Sequence, residues 1–338
     1  MINPQAQSIA APNDFAGSLR LSVRIPERRL TDSLDIPTIG VAIAVYGGYL
    51  VLTWFFQHLS MWIGAPLGAV LLTWHGSLQH ETIHDHPTPS RRFNSWLASP
   101  PLALWLPYRI YRATHLQHHR HGGRHVTEVS RDPESFFLRP GTLSRSGMFR
   151  RALYQANCTL AGRLIVGPAI SVCRFWTAEA REALGGDRQC RIIWARHAIG
   201  VTMVLVWTSV VCHIPIWAYV MFMVYPSISL SHLRSFTEHR ADPERSLRTV
   251  AVEAHPLWAL MFLNNNLHIA HHAHPKLPWH QLPRVWREMR GAADTGGLVF
   301  YRGYRQVVRN YLLRPVISVT ARSSPSPISC RTTSPPAR

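Results

Sequence analysis

The chain alternates long uncharged stretches with densely charged ones. No Asp, Glu, Lys or Arg occurs between Asp35 and Glu81. Two apolar runs, 39–56 and 59–74, fill that gap, and Gln57-His58 separates them. A second uncharged stretch lies between Arg196 and Arg234 and divides at His213-Ile214-Pro215 into runs 197–212 and 216–230. Each run approaches the ~20 residues that a bilayer-spanning helix needs. The pattern predicts four spanning helices in two tight hairpins. Two buried core hairpins in a soluble protein are the alternative, but uncharged stretches of this length are hard to place in a soluble core of this size.

Charge strengthens the membrane reading. Only 16% of residues are charged, against roughly a quarter in soluble domains. The net charge is nevertheless +18. All 36 Lys and Arg fall outside the four runs and their hairpin turns: 4 before the first run, 17 between the second and third, and 15 after the fourth. Positive residues favour the cytoplasmic face, so both termini and the middle segment are expected there. The positive surface suits an anionic membrane face. No nucleic-acid-binding motif accompanies it, so a nucleic-acid partner is not expected. The five Cys are scattered without a C-x-x-C pair, so neither a disulfide framework nor a Cys-based zinc site is readable.

The intervening segments give context. Residues 1–35 are polar, lack a signal-peptide layout and read as a cytoplasmic N-terminal segment. Residues 36–320 read as the membrane domain. Residues 321–338, rich in Ser, Pro, Thr and Arg, read as a disordered tail. Segment 96–108 is broken by Pro100, Pro101 and Pro107 and reads as interfacial or re-entrant. Segment 160–173, interrupted by Arg163, Gly167 and Pro168, reads the same way, and 179–196 reads as one charged helix.

Histidine carries the candidate chemistry. Of 20 His, 14 fall in windows 75–86, 115–125 and 268–280, where a uniform spread would place about two. The first window contains His80 and His84 in an H-x-x-x-H spacing. The second contains His115, His118 and His119 as H-x-x-H-H, and His268, His271 and His272 repeat that pattern. On a helix, positions i, i+3 and i+4 share one face, so imidazoles so spaced converge. An adjacent pair can straddle two metals. Eight imidazoles exceed what one ion needs and suit two transition-metal ions, with Fe, Zn, Cu and Ni all compatible. His80 follows the second run, the second box lies in the middle segment, and the third lies beyond the fourth run, so all reach one membrane face. His58, His197, His213 and His255 read as ordinary residues, as do His121, His125, His274 and His280, which extend the windows without fitting the spacing. A metal transporter would carry ionisable ligands near mid-membrane, and the runs carry none.

The three boxes in this order resemble those of the membrane fatty acid desaturase superfamily, in its bacterial branch. The resemblance extends to His80-Glu81-x-x-His84-x-His86-Pro87, to Leu233–Arg240 with its R-x-x-x-E-H pattern, and to Asn264–Pro275 followed by Pro278-Trp279. It covers roughly three-quarters of the chain. It implies an all-α integral membrane fold: four transmembrane helices in two hairpins, with a cytoplasmic helical cap holding a histidine-rich di-iron site. The implied iron ligands are His80, His84, His115, His118, His119, His268, His271 and His272. A ninth is expected near the end of the fourth span. His239 in the Glu-His pair is the choice and His232 the rival; if that helix continues, His239 lies about two turns beyond His232. Asn265 or Asn266 is a candidate for holding a metal-bound water. Asp85 departs from the pattern, because a Gly is expected there.

The resemblance further implies O₂ as co-substrate and a membrane lipid or acyl chain as substrate. Glu81, Glu238, Asp132 and Glu134 are the carboxylates expected to orient ligand imidazoles. Neither a nucleophile nor a carboxylate dyad is needed. No iron–sulfur Cys cluster and no His-Pro-Gly-Gly haem segment is present, so a separate ferredoxin-like or rubredoxin-like donor is expected. The expected location is a bacterial inner membrane, multi-pass. The alternatives are a hydroxylase or a desaturase of a small non-lipid metabolite, such as a rhizobitoxine-type amino-acid ether, and, from another class, a metal-handling membrane protein without redox chemistry.

Overall fold

A computed structural model of the chain describes residues 34–120, 126–139, 141–240, 248–292 and 298–316. The first apolar stretch folds into α1 (Ile36–Trp54) and α2 (Met61–Ile83), joined by a tight turn at Phe56–His58. Asp35 caps α1, its Oδ1 accepting from Thr38 N at 3.3 Å. Helix α2 runs nine residues past Trp74, so the first histidine box rides on its last turn. At 1.5 Å per residue its 23 residues extend about 35 Å.

The middle segment forms α3 (Arg91–Ala98), α4 (Tyr108–His118), α5 (Met148–Ala156), α6 (Leu160–Ile165) and α7 (Gly167–Leu184). The second uncharged stretch belongs to α8 (Arg188–Val211) and α9 (Ile216–Ser235). Each contains a π-helical stretch, Val206–Val211 and Val220–Val224. Beyond them come β1 (Ala251–Val252), α10 (Pro256–Met261), α11 (His268–Ala273), α12 (Leu282–Ala292), β2 (Phe300–Tyr301) and α13 (Tyr304–Tyr311). The two strands pair in parallel, Ala251 with Phe300.

Among the described residues, three helices are long and apolar enough to cross a membrane: α1, α8 and α9. The sequence pattern led us to expect four. Helix α2 falls short on apolarity because its second half is polar, from Thr73 through His75, Ser77, Gln79, His80 and Glu81. Its position explains the composition. It packs against α1 and α9, and the buried residues of its first half are small: Gly64, Ala65, Gly68 and Ala69. A Cβ at Gly68 would come within 2.6 Å of the Met223 sulfur on α9. Small residues let helices approach closely. Helix α8 is the opposite case. Only 17% of its apolar window is buried, and Ile199, Met203 and Val210 are exposed.

The interruption expected at Gly167 and Pro168 is present: α6 ends at Ile165, and Pro168 sits in the first turn of α7, where its missing N–H costs nothing. One helix boundary differs from the sequence reading. The expected single helix over 179–196 is cut by Gly185-Gly186, the latter at φ +98°. Asp187 then restarts the chain as α8, accepting from Gln189 N at 2.8 Å. The expected tail 321–338 and all but the end of the segment 1–35 lie outside the described residues.

Helix α12 roofs the third box. Leu282, Val285, Trp286 and Met289, spaced one helical face apart, are buried against Leu267, Ile269 and Ala270. Helix α6 begins where α5 ends, and the junction is tight. Thr159 caps it through Gly162 N at 3.1 Å, and a Cβ on Gly162 would fall 2.0 Å from the Ala156 carbonyl oxygen. Gly162→Ala is therefore expected to destabilise the protein by about 1–3 kcal/mol. Gly40→Ala, with nothing within 4 Å of the new Cβ, is expected to stay within about 0.5 kcal/mol. Thermal unfolding of the two purified variants in detergent checks this; equal midpoints would contradict it.

Candidate metal centre

Nine histidines from four separate segments meet in two groups. His80, His84, His115, His119 and His271 form the first, and His118, His239, His268 and His272 the second; within each, the potential ligand atoms lie within 4.8 Å of one another. The helical boxes divide the same way. In α4, His115 faces the first group with the following His119, and His118 faces the second. In α11, His268 and His272 face the second group and His271 the first. Each i, i+4 pair thus serves one group and the i+3 residue serves the other, so each adjacent pair straddles both.

His239 joins the second group and His232 does not. Helix α9 ends at Ser235 rather than continuing, so the helical spacing between them does not apply. An antiparallel bridge to Thr249 positions His239 instead, with Val250 N donating to Glu238 O at 2.9 Å and Arg240 N to Arg248 O at 2.8 Å. His232 turns elsewhere, its Nε2 3.3 Å from Ser171 Oγ.

Ring-nitrogen geometry identifies what the groups suit. His115 Nε2 lies 3.1 Å from both His84 Nε2 and His119 Nε2, and His119 Nε2 lies 3.1 Å from His271 Nε2. In the second group, His268 Nε2 lies 3.1 Å from His239 Nε2 and 3.0 Å from His272 Nε2. The opposite ring nitrogens of several rings bond outward. His118 Nδ1 donates to Asp132 at 2.8 Å, His115 Nδ1 to Glu134 at 3.0 Å, and His268 Nδ1 to Asn265 Oδ1 at 2.9 Å. A proton held on Nδ1 leaves Nε2 as a bare lone pair. Lone pairs pointed at one another do not bond; they call for a cation between them. Metal–imidazole bonds of roughly 2.1 Å at right angles separate their nitrogens by about 3.0 Å, close to the spacing seen here.

Burial disfavours the charged form of most of these imidazoles. In His119, His239, His268, His271 and His272, burial and then the neighbouring imidazoles hold the pKa well below its ordinary value. His118 differs. Burial lowers it, but the bonded Asp132 and then Glu134 outweigh burial and push it up to about 9. Glu134 is itself lowered to about 2, since His115 overcomes the opposing effect of burial.

The surrounding acids and amides each have a place. Asp132 accepts from Thr127 N and Glu134 N, both at 2.9 Å, which fixes it under His118. Glu81 lies 3.4 Å from His80 Nδ1 and accepts from Trp279 N at 3.1 Å, so the Pro278-Trp279 segment ties the first box to the third. Glu238 stands 3.7 Å from His268 Nδ1 and 3.1 Å from Arg234. Asn265 touches both groups, with Nδ2 3.3 Å from His80 Nε2. Asn266 points away, its amide donating to Val252 O at 2.7 Å. Asp85 holds a left-handed φ of +72°, the conformation that favours glycine, and its carboxylate pairs with Arg91 at 3.0 Å.

The remaining histidines have structural partners or lie apart. His197 bonds Leu104 O at 2.9 Å, His86 and His280 flank Asp35 at 3.2 and 3.3 Å, and His255 caps α10. His75, on α2, sits 3.2 Å from Tyr46 Oη. His121 and His125 lie outside the described residues. A cavity of about 520 Å³ lies beside the metal centre; Glu134, which bonds His115, lines it together with Tyr111 and Thr114.

The sequence matches the fatty acid desaturase family over residues 52–304, about three-quarters of the chain, and the protein belongs to that family. With its apolar helices and histidine clusters, it is a membrane-type member with a histidine-rich metal site. Comparison with curated proteins returned no match. Asp132→Ala removes the partner of His118 without touching a candidate ligand. Metal affinity, measured by chelator competition, is expected to fall about 10–100-fold. Unchanged affinity would show that Asp132 does not orient the site.

Proposed function

We propose that the chain is an O₂-dependent di-iron desaturase that introduces a C=C bond into a fatty acyl chain. The convergence of nine imidazoles in two groups, with carboxylates one layer out, carries the reading. His80, His84, His115, His119 and His271 would hold one iron, and His118, His239, His268 and His272 the other. When bound, the iron pair would supply an O₂-derived oxidant strong enough for an unactivated C–H bond, which no side-chain acid or base can attack.

The chain's own residues do the rest. Asp132 and Glu134 hold protons on the Nδ1 atoms of His118 and His115, keeping both Nε2 atoms as donors to metal. Burial of the cluster excludes water from a reactive oxidant. The cavity beside Glu134 would bring substrate to the site. Electrons would come from a separate ferredoxin-like or rubredoxin-like carrier whose acidic face suits the Arg-rich surface. In this reading α2 is a fourth span, and the boxes and both termini face the cytoplasm.

Metal analysis of purified protein should give two irons per chain. His239→Ala should lose iron and activity, while His232→Ala should retain most of its iron. One zinc and no iron would overturn the assignment, and the reverse mutant pattern would move the ninth ligand to His232. Product analysis after expression in a lipid-defined host separates a new double bond from a new alcohol. A reporter fused after Arg338 should be active in the cytoplasm; activity confined to the periplasm would overturn the four-span arrangement.

A further inference from the structure

The cavity beside the metal centre contains a charge that the chemistry above does not use. Arg163, on α6, is only 6% exposed and lines the cavity. Its Nε has no hydrogen-bond partner. Among the described residues no carboxylate pairs with it. Its guanidinium lies over the Phe136 ring, 4.6 Å from the centroid. A ring face attracts a cation but supplies no in-plane acceptor for its N–H groups. Arg174, which is exposed, borders the same cavity from α7, on the helical face that also presents Ser171, Phe175 and Ala178.

The other charged groups on the cavity wall are already engaged. Glu134 is bonded to His115 at 3.0 Å, Glu179 accepts from Trp194 Nε1 at 3.1 Å, and Arg234 pairs with Glu238 at 3.1 Å. Burial, and then the like charge of Arg174, press the Arg163 guanidinium down to about 10, so it remains charged at neutral pH. A buried guanidinium without an anion is costly. Lipid head groups outside the protein do not answer it, because Arg163 does not face outward. Gly167 lets Asn157, Arg163 and His232 crowd together: a Cβ there would meet Asn157 Oδ1 and His232 Nδ1 at 3.0 Å and Arg163 Cδ at 3.2 Å. Asn157 Oδ1 is also buried without a partner.

We infer that Arg163 and Arg174 seat an anionic group of the substrate, a carboxylate or a phosphate, inside this cavity. Phe136 beneath Arg163 is two residues from Glu134 on His115, so their Cα atoms are at most about 7 Å apart. One short segment therefore holds the anion seat and the metal centre side by side. Part of the cavity wall suits a chain of methylenes. The hydroxyls of Thr73, Ser227 and Ser231 donate to backbone carbonyls at 2.7, 2.7 and 3.0 Å, so they present no unsatisfied donor to an apolar ligand. The cavity volume, about 520 Å³, lies within the range of small-ligand sites.

The inference rests on the cavity being the substrate site of the desaturase. The test is calorimetric titration of the full chain in nonionic detergent with three probes sharing one alkyl chain: hexadecanoate, hexadecyl phosphate and hexadecanol. At least one anion should bind about tenfold or more tighter than the alcohol, and the stronger anion tells carboxylate from phosphate. Arg163→Gln and Arg174→Gln should each cut that preference about tenfold or more, and Arg163→Lys should restore part of it. Because Arg163 is buried, the Arg174→Gln variant guards against a folding defect. Equal binding of all three probes, or wild-type preference in both Gln variants, would overturn the inference. Iron content of the same samples reports separately on the di-iron reading. Iron-loaded protein without anion preference sinks the anion seat alone, and iron-free protein with that preference sinks the di-iron centre alone.

Discussion

Seven of the nine clustered imidazoles point Nε2 at a neighbouring Nε2, and His115 and His268 among them hold the opposite nitrogen against an outward acceptor. The facing nitrogens, 3.0–3.1 Å apart, cannot satisfy one another when both are acceptors. A buried acceptor without a donor costs about 1–3 kcal/mol. The scaffold therefore has to hold the rings in place against that cost, and metal binding would repay it. The ligands come from the end of α2, from α4, from the bridge after α9 and from α11, so a bound metal would also cross-link segments far apart in sequence.

The apolar part of the molecule is built around α2, the helix that delivers the first box. It packs against both α1 and α9. One face of α2 packs closely on its neighbours through Gly64, Gly68 and Ala69, while Trp62, Ile63 and Leu67 are exposed on the other, and the helix turns polar only toward the box. Helix α8 is exposed along most of its length and apolar there.

The boxes were legible because helical spacing fixes which side chains share a face. Which imidazole belongs to which group was not, because that depends on how α4 and α11 face each other. His239 was favoured over His232 for its family-like pairing with Glu238; the bridge to Thr249 that holds it could not be read from the sequence. Asn265 and Asn266 were equivalent on paper. Leu263 and Asn264 adopt left-handed φ values of +46° and +53°, and after that turn Asn265 meets His268 while Asn266 meets a backbone carbonyl. The Gly expected at position 85 has a physical basis as well, since the Asp there occupies a left-handed conformation. Arg163 looked like an interruption in an interfacial segment. Only the fold shows that it is buried and faces a cavity.

The placement of acids bears on how an all-imidazole shell would hold metal in a buried site. No carboxylate belongs to either ligand group, yet Glu81, Asp132, Glu134 and Glu238 all stand beside a ligand ring. Neutral donors leave the full charge of the ions in place, and a low-dielectric interior magnifies that charge. Carboxylates one layer out would offset that charge without themselves binding metal. Placing the anions behind the rings has a second effect. Asp132 and Glu134 draw protons to the outer nitrogens of His118 and His115 and raise the basicity of the inner ones. The same Glu134 that bonds His115 also lines the cavity, so the charge beside the metal centre borders the space where the proposed substrate would lie.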